Sequence, residues 1–191
     1  MKKTDLNVRI VAGKYKGKTL QLPSLQSTRS TKSILKDSLF DTLQFDIVGE
    51  NFIEAFGGSG SVGLEAVSRG AKHAYFIEFD KKAYDILCAN CIRIAPKETT
   101  CKLGDTFILL PQILQQLNAP AYIYLDPPFS IRENFENVYE KLAQLIAKFS
   151  REKVHMFIIE HMSDFQVPKQ IASFTCKKTR KFGKSSLSYY M

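Results

Sequence analysis

Residues 51–60 have the sequence Asn-Phe-Ile-Glu-Ala-Phe-Gly-Gly-Ser-Gly, and residues 61–69 continue as Ser-Val-Gly-Leu-Glu-Ala-Val-Ser-Arg. The pattern predicts a short strand at 51–55, a tight turn at the glycines and a helix over the second stretch. Glycine in such a turn lets the backbone approach a ligand, because it has no Cβ and adopts positive φ without strain. A strand, a glycine-rich turn and a helix in this order indicate the ligand-binding unit of an α/β sheet.

The sequence that follows continues to alternate between strand and helix patterns. We predict strands at 73–79, 99–103, 121–125 and 154–160, and helices at 81–94, 106–117 and 134–149, with Pro111 as a residue at which the second helix can break. The last two strands, 173–181 and 186–190, are expected to form a hairpin around Gly183. The pattern predicts a Rossmann-like, doubly wound α/β fold with a mostly parallel seven-stranded sheet and an antiparallel C-terminal hairpin.

The N-terminal part has a different pattern. Residues 8–12 and 18–22 are predicted strands joined by a turn with Gly13 and Gly17, and a helix capped by Ser30 or Thr31 follows to about residue 44. We therefore divide the chain into a small N-terminal hairpin and helix extension, residues 1–45, and an α/β domain, residues 46–191.

Positive charge is concentrated in this extension. Residues 1–36 carry nine Lys or Arg and one acid, whereas the rest of the chain carries 18 of each kind, so the net charge of +8 arises in the extension. A second basic cluster, at 177–184, follows the last acid, Asp164. Such clusters favour a polyanionic partner, because neutralised phosphates release counterions, although a solvated basic surface is the alternative. No apolar stretch is long enough to span a bilayer and no secretory segment follows Met1, so we expect a cytoplasmic protein.

Three carboxylates follow predicted strand ends. Glu54 ends the first strand, Glu78 closes the second, and Asp105 follows the third. At such a position Glu78 can accept hydrogen bonds from both hydroxyls of a ribose, and Asp105 can accept one from an adenine amino group. We predict an adenosine-containing cofactor, bound by Glu54, Phe56, Gly58, Ser59, Gly60, Glu78, Phe79 and Asp105.

Two such cofactors fit the glycine-rich turn. Residues 58–63 match the dinucleotide fingerprint G-x-G-x-x-G with an acid about 20 residues later, which is compatible with NAD as well as with S-adenosylmethionine. Glu54 favours S-adenosylmethionine, because a carboxylate beside the turn repels a pyrophosphate and attracts a sulfonium and an amino group. A turn without a ligand is the third interpretation, and the acid at the expected spacing argues against it.

A second motif, Asp126-Pro127-Pro128-Phe129, directly follows an apolar predicted strand. An exocyclic amine on a nucleic-acid base is a poor nucleophile, since its lone pair is delocalised into the ring. The Asp126 carboxylate and the Pro127 carbonyl can each accept a hydrogen bond from the amine, which favours a tetrahedral nitrogen with a free lone pair. The prolines stiffen the loop that holds these two acceptors. Phe129 can stack on a base removed from its helix. The alternative is a strand-ending turn, because Asp-Pro commonly opens turns.

The cysteines and histidines do not indicate a metal site. Cys88 and Cys91 form a C-x-x-C inside a helical pattern, no second such pair is present, and the three histidines lack ligand spacing. A closed zinc site requires four ligands, so we predict no metal.

Taken together, these stretches resemble the bacterial 16S rRNA guanine-N2 methyltransferases of the RsmD type, over nearly the whole chain. The matching stretches are the basic start at 9–18, residues 28–31 with 36–40, the glycine turn and helix at 58–71, Asp126–Phe129, and the ending at 181–188. The resemblance implies a class I fold, S-adenosylmethionine as the cofactor, Glu78 on its ribose, and 16S rRNA or an assembling small ribosomal subunit as the partner of a monomer. The expected rRNA contacts are Arg9, Lys14, Lys16, Lys18, Arg29, Lys36 and Lys181.

Methylation of a guanine N2 amine in 16S rRNA is therefore the leading hypothesis. Adenine N6 in DNA and a protein glutamine present the same planar amine, and the basic extension favours a nucleic acid over a protein. An NAD-dependent oxidoreductase is the alternative that the fingerprint leaves open. A non-catalytic RNA-binding protein is a further class, which the carboxylates Glu54, Glu78 and Asp126 argue against.

Overall fold

The alternating segments build a mixed sheet between two layers of helices in the computed structural model, which describes residues 7–23, 29–128 and 138–191. The helices are α1 Arg29–Leu43, α2 Ser61–Ser68, α3 Lys81–Ile94, α4 Thr106–Gln116 and α5 Val138–Ile146. The strands are β1 Asn7–Arg9, β2 Thr19–Gln21, β3 Asn51–Glu54, β4 His73–Glu78, β5 Thr99–Leu103, β6 Ala121–Leu125, β7 Val154–Met162, β8 Gln170–Ile171, β9 Phe174–Phe182 and β10 Ser185–Tyr190.

The central sheet has the strand order β5-β4-β3-β6-β7-β10-β9-β8, and β1 pairs with β2 in a separate hairpin. The first five strands are parallel, so their carboxyl ends meet at one edge of the sheet, which we call the carboxyl edge. β10, β9 and β8 are antiparallel additions. The predicted Rossmann-like fold is confirmed, and the two-residue β8 brings the sheet from the predicted seven strands to eight among the described residues.

Helices cover both faces of this sheet. On one face, α4 and α5 pack against a cluster that includes Ile53, Ile123 and Phe157. On the other face, α1 and α2 pack against side chains that include Phe52 and Tyr124. All five residues of β6 are buried, because neighbouring strands and helices cover this central strand on every side.

The predicted and observed elements differ at a few places. Helix α3 and strands β5 and β6 match their predicted bounds, whereas β7 runs two residues further and β1 and β2 are shorter than predicted. Helix α4 continues through Pro111, so the predicted helix is confirmed and it has no break at this proline. Burial of Leu110, Ile113 and Leu114 offsets the hydrogen bond that proline cannot donate. Residues 134–137 of the predicted 134–149 helix lie outside the described residues.

The N-terminal hairpin docks on α2 and α3 through buried polar groups. The backbone N–H groups of Val11 and Ala12 donate to the Glu65 carboxylate at 2.9 and 3.0 Å. Gln21 and Asn90 exchange two hydrogen bonds of 3.0 Å between backbone and side chain. None of the described helices has the length and apolar character needed to cross a membrane.

Candidate active site

The turn between β3 and α2 is held in place by its neighbours at the carboxyl edge. The Gly57 N–H donates to the Ile77 carbonyl at 2.7 Å, and the Asn90 side chain donates to the Ser59 carbonyl at 2.9 Å. Gly60 has a φ of +77°, and a Cβ on it would lie 2.6 Å from Leu87 Cδ1. Glycine adopts this positive φ without strain and has no Cβ to contact Leu87. The backbone of the turn is therefore open to the close approach of a ligand.

Glu54 and Glu78 stand at the ends of adjacent strands on either side of this turn. Glu54 is 4% exposed and accepts a 2.7 Å hydrogen bond from the Gly63 N–H in the first turn of α2. Glu78 accepts from the Gly58 N–H at 2.7 Å and from the Asp80 N–H at 2.8 Å. Each carboxylate oxygen has a second lone pair, so Glu78 can order the turn and still accept from ribose hydroxyls.

Exposed apolar side chains lie directly after β4, at the end of β5 and in the first turn of α4. Phe79, Ile108 and Leu103 are 76%, 60% and 43% exposed. Asp105 caps α4 by accepting from the Phe107 N–H at 2.8 Å, and the Phe107 ring packs edge-on to Phe56 with centroids 6.4 Å apart. Apolar side chains beside a carboxylate acceptor are what a flat, amino-bearing adenine requires.

Replacement of Gly63 by alanine is expected to lower the free energy of unfolding by about 1–3 kcal/mol. The added Cβ would lie 2.6 Å from Phe76 Cζ and 3.1 Å from the Glu54 carboxylate, so the packing between α2 and β4 must shift. Helix propensity alone predicts the opposite sign, a gain of about 1 kcal/mol. Urea unfolding distinguishes the two, and a midpoint at or above that of the unmodified chain contradicts the packing described here.

The Asp-Pro-Pro motif lies at the same edge as the glycine turn. Strand β6 is paired with β3, with Tyr124 opposite Glu54, so Asp126 follows two residues beyond this pair. Asp126 is half-buried, Pro127 is buried and Pro128 is half-buried. Phe129, the predicted stacking residue, lies outside the described residues. The structure therefore brings the two predicted motifs, which are far apart in sequence, to one edge of the sheet.

Glu160 is an acidic residue of this region that the sequence interpretation missed. It is 3% exposed, lies two residues before the end of β7 and accepts a hydrogen bond from the Tyr124 hydroxyl. Burial, followed by the nearby charges of Glu160 and Asp126, raises the pKa of Tyr124 well above its ordinary value, so the hydroxyl stays protonated and donates. The available signal was an acid at the end of the predicted strand 154–160, which is nearly all apolar.

Three of the predicted rRNA contacts lie far from this edge. Lys14 pairs with Glu98, the residue before β5, and Lys16 and Lys18 belong to the same hairpin turn. Glu98 stands at the amino ends of the strands, and the six residues of β4 separate it from Glu78 by about 17 Å at 3.3 Å per residue. These lysines are exposed, but they face a different end of the molecule from Asp126.

The other predicted rRNA contacts have varied surroundings. Lys36 is 5% exposed and pairs with Glu65 at 3.1 Å, so the prediction that it contacts RNA disagrees with its position in the core. Arg9 is exposed beside it, and its carbonyl accepts from Lys36 at 3.3 Å. The side chain of Arg29 lies outside the described part of the chain. Lys181 is exposed near the carboxyl edge.

The C-x-x-C pair lies on α3 as predicted, and the four cysteines are free. A hydrogen bond with Cys91, followed by burial, raises the pKa of Cys101, and burial raises that of Cys88. Thiols that hold their protons are poor metal ligands. Within the described ranges, no group of three or more His, Cys, Asp or Glu side chains is arranged to bind a metal ion.

Comparison with known proteins relates this arrangement to methyltransferases. Residues 8–191 match the family model described as "Conserved hypothetical protein 95". The chain is 26% identical over 185 residues to "Putative rRNA methyltransferase YlbH" of Bacillus subtilis, covering 96% of this chain and 98% of that protein. It is 33% identical over 128 residues to "Ribosomal RNA small subunit methyltransferase D" of Haemophilus influenzae, covering 64% of each.

Solved structures share the fold. "Putative methyltransferase yhhF" from Escherichia coli superimposes with a TM-score of 0.76 at 24% identity, with 97% of each chain covered. At lower similarity, magnesium protoporphyrin IX methyltransferase from Synechocystis, solved with bound SAM, has a TM-score of 0.60 at 16% identity, with 85% of this chain and 80% of that one covered. The fold is thus one found in S-adenosylmethionine-dependent methyltransferases.

Proposed function

Because the chain belongs to the RsmD-type methyltransferase family, we propose that it transfers the methyl group of S-adenosylmethionine to the exocyclic N2 amine of a guanine in 16S rRNA. The observation that carries the proposal is the pairing of Glu54 with Tyr124, which sets the glycine turn and Asp126 side by side. A donor held on one strand end and an acceptor held on the next meet there without a large movement of the backbone.

The residues around the glycine turn fit S-adenosylmethionine better than NAD. In this proposal Glu78 binds the ribose, Asp105 and the exposed ring of Phe79 contact the adenine, and residues 56–60 approach the amino-acid part. The buried carboxylate of Glu54, the last residue of β3, contacts the first turn of α2, where a dinucleotide would place its pyrophosphate. That charge opposes NAD and favours a ligand with a sulfonium and an ammonium.

Asp126 and the Pro127 carbonyl position the amine in the proposed reaction. When bound, S-adenosylmethionine supplies an electrophilic methyl group whose sulfur leaves as a neutral thioether. The Asp126 carboxylate and the Pro127 carbonyl each accept a hydrogen bond from one of the two N2–H groups. This frees the nitrogen lone pair to form the new N–C bond. The amine then loses one proton, to Asp126 or to water. Pro128 and Phe129 complete the proposed motif, with Phe129 stacked on the base.

The basic surface fits an RNA substrate in the same proposal. The extension, residues 1–45, is the proposed rRNA-binding part and residues 46–191 the methyltransferase domain. Arg9, Lys16 and Lys18 expose their charges on it, and Lys14 is exposed there in an ion pair with Glu98. Exposed cations of this kind release counterions from the phosphates that they bind, which supports RNA as the partner. We propose that the protein is a monomer and that it acts in the cytoplasm on 16S rRNA or an assembling small subunit.

Titration of the purified protein with S-adenosylmethionine, S-adenosylhomocysteine and NAD tests the cofactor, and labelled methyl transfer tests the acceptor. We expect the first two ligands to bind and label to enter 16S rRNA from unmethylated subunits. Binding of NAD alone overturns the proposal. Label that enters DNA or protein assigns a different acceptor, and RNA binding without transfer identifies a non-catalytic protein.

A further inference from the structure

The turn of the β9–β10 hairpin, residues 181–184 with Lys181 and Lys184, is a basic surface that we call the basic tip. We propose that the basic tip holds the rRNA phosphates beside the methylated nucleotide, whereas the turn at 13–18 holds a separate and more distant part of the RNA. The inference rests on the proposed function and divides the predicted RNA contacts into a near set and a far set.

Strand pairing puts the basic tip at the carboxyl edge. Ser185 is paired with Met162, the last residue of β7, and the Ser163 N–H donates to the Lys184 carbonyl at 2.9 Å. In the sheet, β9 is three strands away from β6, which carries Asp126. At about 4.8 Å between strands, the backbone of β9 lies about 14 Å from that of β6 across the sheet, before the length of the lysine side chains is counted.

The side of Asp126 that faces the basic tip is the one available to RNA. Strands β3, β4 and β5 lie on one side of β6. The proposed cofactor occupies that side, because β3 and β4 end at Glu54 and Glu78, and Asp105 follows β5. On the other side stand β7, β10 and β9. When a base binds at Asp126 in the proposed complex, the phosphates that flank it therefore lie on the side of the basic tip.

In the part of the chain that the structure describes, no acidic side chain pairs with the lysines of this surface. The chain has no Asp or Glu after Asp164, and it has six Lys or Arg from there to its end. Lys181 and Lys184 are both exposed, and no carboxylate of the described residues lies within ion-pair distance of either. Exposed cations without a protein partner are the groups that phosphates neutralise.

The basic tip is held rigidly on the sheet. Beneath it, the buried His161 ring hydrogen-bonds to the Ser188 hydroxyl at 2.9 Å, which in turn contacts Thr179 at 2.8 Å. Burial lowers the pKa of His161, the hydrogen bond with the Met162 carbonyl opposes this shift, and the charge of Lys181 lowers the pKa further. A rigid support reduces the ordering that RNA binding requires of the lysines.

The turn at 13–18 cannot bind the same phosphates. Lys14 is fixed to Glu98 at the amino ends of the strands, about 17 Å from the edge that carries Glu78 and Asp126. RNA that contacts both surfaces must therefore extend past the side of the molecule. A short fragment around the methylated nucleotide reaches only the basic tip.

Two double variants that remove the same charge test this division. Lys181→Gln with Lys184→Gln alters the basic tip, and Lys16→Gln with Lys18→Gln alters the distant turn. Lys148→Gln with Lys169→Gln removes two exposed lysines outside both surfaces and is the matched control. Affinity is measured by fluorescence anisotropy at several salt concentrations, with full-length 16S rRNA and with a short fragment that contains the methylated nucleotide.

We expect the basic-tip variant to bind both RNAs more weakly, with a slope of log Kd against log salt reduced by about 1.4 for two single-strand contacts. The distant-turn variant should lose affinity for full-length rRNA only, and the control should match the unmodified protein. An unchanged slope for the basic-tip variant on the short fragment overturns the inference, as does an equal loss for the distant-turn variant. If the unmodified protein methylates no rRNA, the proposed function itself fails.

Discussion

Replacement of Asp126 by alanine is expected to lower kcat for methyl transfer by about 10²–10⁴-fold, while the Kd for S-adenosylmethionine stays nearly unchanged. The proposed cofactor contacts come from β3, β4 and β5, whereas Asp126 follows β6 and is the proposed contact of the acceptor. In the proposed reaction, removal of its carboxylate leaves one N2–H group without a hydrogen-bond acceptor when the nitrogen lone pair must be released. Single-turnover transfer and calorimetric titration measure the two quantities separately.

Asp164→Ala is the matched control, because Asp164 is an exposed aspartate that follows β7 near the same edge. Its kcat should remain close to that of the unmodified protein. If Asp126→Ala lost cofactor affinity in proportion to activity, Asp126 would belong to the cofactor site and its assigned role would be wrong.

The largest effect on stability is expected at Glu65, a fully buried carboxylate of α2. It accepts from the Val11 and Ala12 N–H groups and pairs with Lys36 at 3.1 Å and Arg69 at 2.9 Å. Glu65→Ala leaves a buried lysine and two backbone donors without their acceptor, so the free energy of unfolding should fall by about 3–5 kcal/mol.

Urea unfolding of three variants checks this prediction. Asp85→Ala breaks the exposed Lys81–Asp85 pair on α3 and should change the free energy of unfolding by no more than about 0.5 kcal/mol. The double variant Lys36→Met with Glu65→Leu removes both buried charges and should recover part of the loss. A Glu65→Ala protein as stable as Asp85→Ala would show that the hairpin is not anchored through this carboxylate.

The central fold was predictable because its elements have strong local patterns. Helix α3 begins after Asp80, whose side chain caps it by accepting from the Ala83 N–H at 2.8 Å, and its bounds matched the prediction. Helix α4 was harder, since local rules allow a break at Pro111 and only burial in the assembled core determines the outcome. The two-residue β8 has no pattern of its own and forms because β9 offers it an edge.

The positions of the candidate site residues followed from one general rule, that ligands bind at the carboxyl ends of parallel strands. The rule brought Glu54, Glu78 and Asp126 together without knowledge of the strand order. The rule gave no information on the lysines that were predicted to contact rRNA. The sequence alone does not distinguish a lysine that is exposed to solvent from one that forms an ion pair in the folded protein. Lys36 is buried against Glu65, and Lys14 pairs with Glu98, partners that lie far away in sequence.

The most direct test of the central claim is nucleoside mass spectrometry of 16S rRNA from cells with and without the protein. We expect one N2-methylguanosine to disappear when the protein is absent and to return with the unmodified chain but not with Asp126→Ala. An unchanged content of N2-methylguanosine, or the loss of a different methylated nucleoside, would contradict the assignment of a guanine amine to the edge formed by Glu54, Glu78 and Asp126.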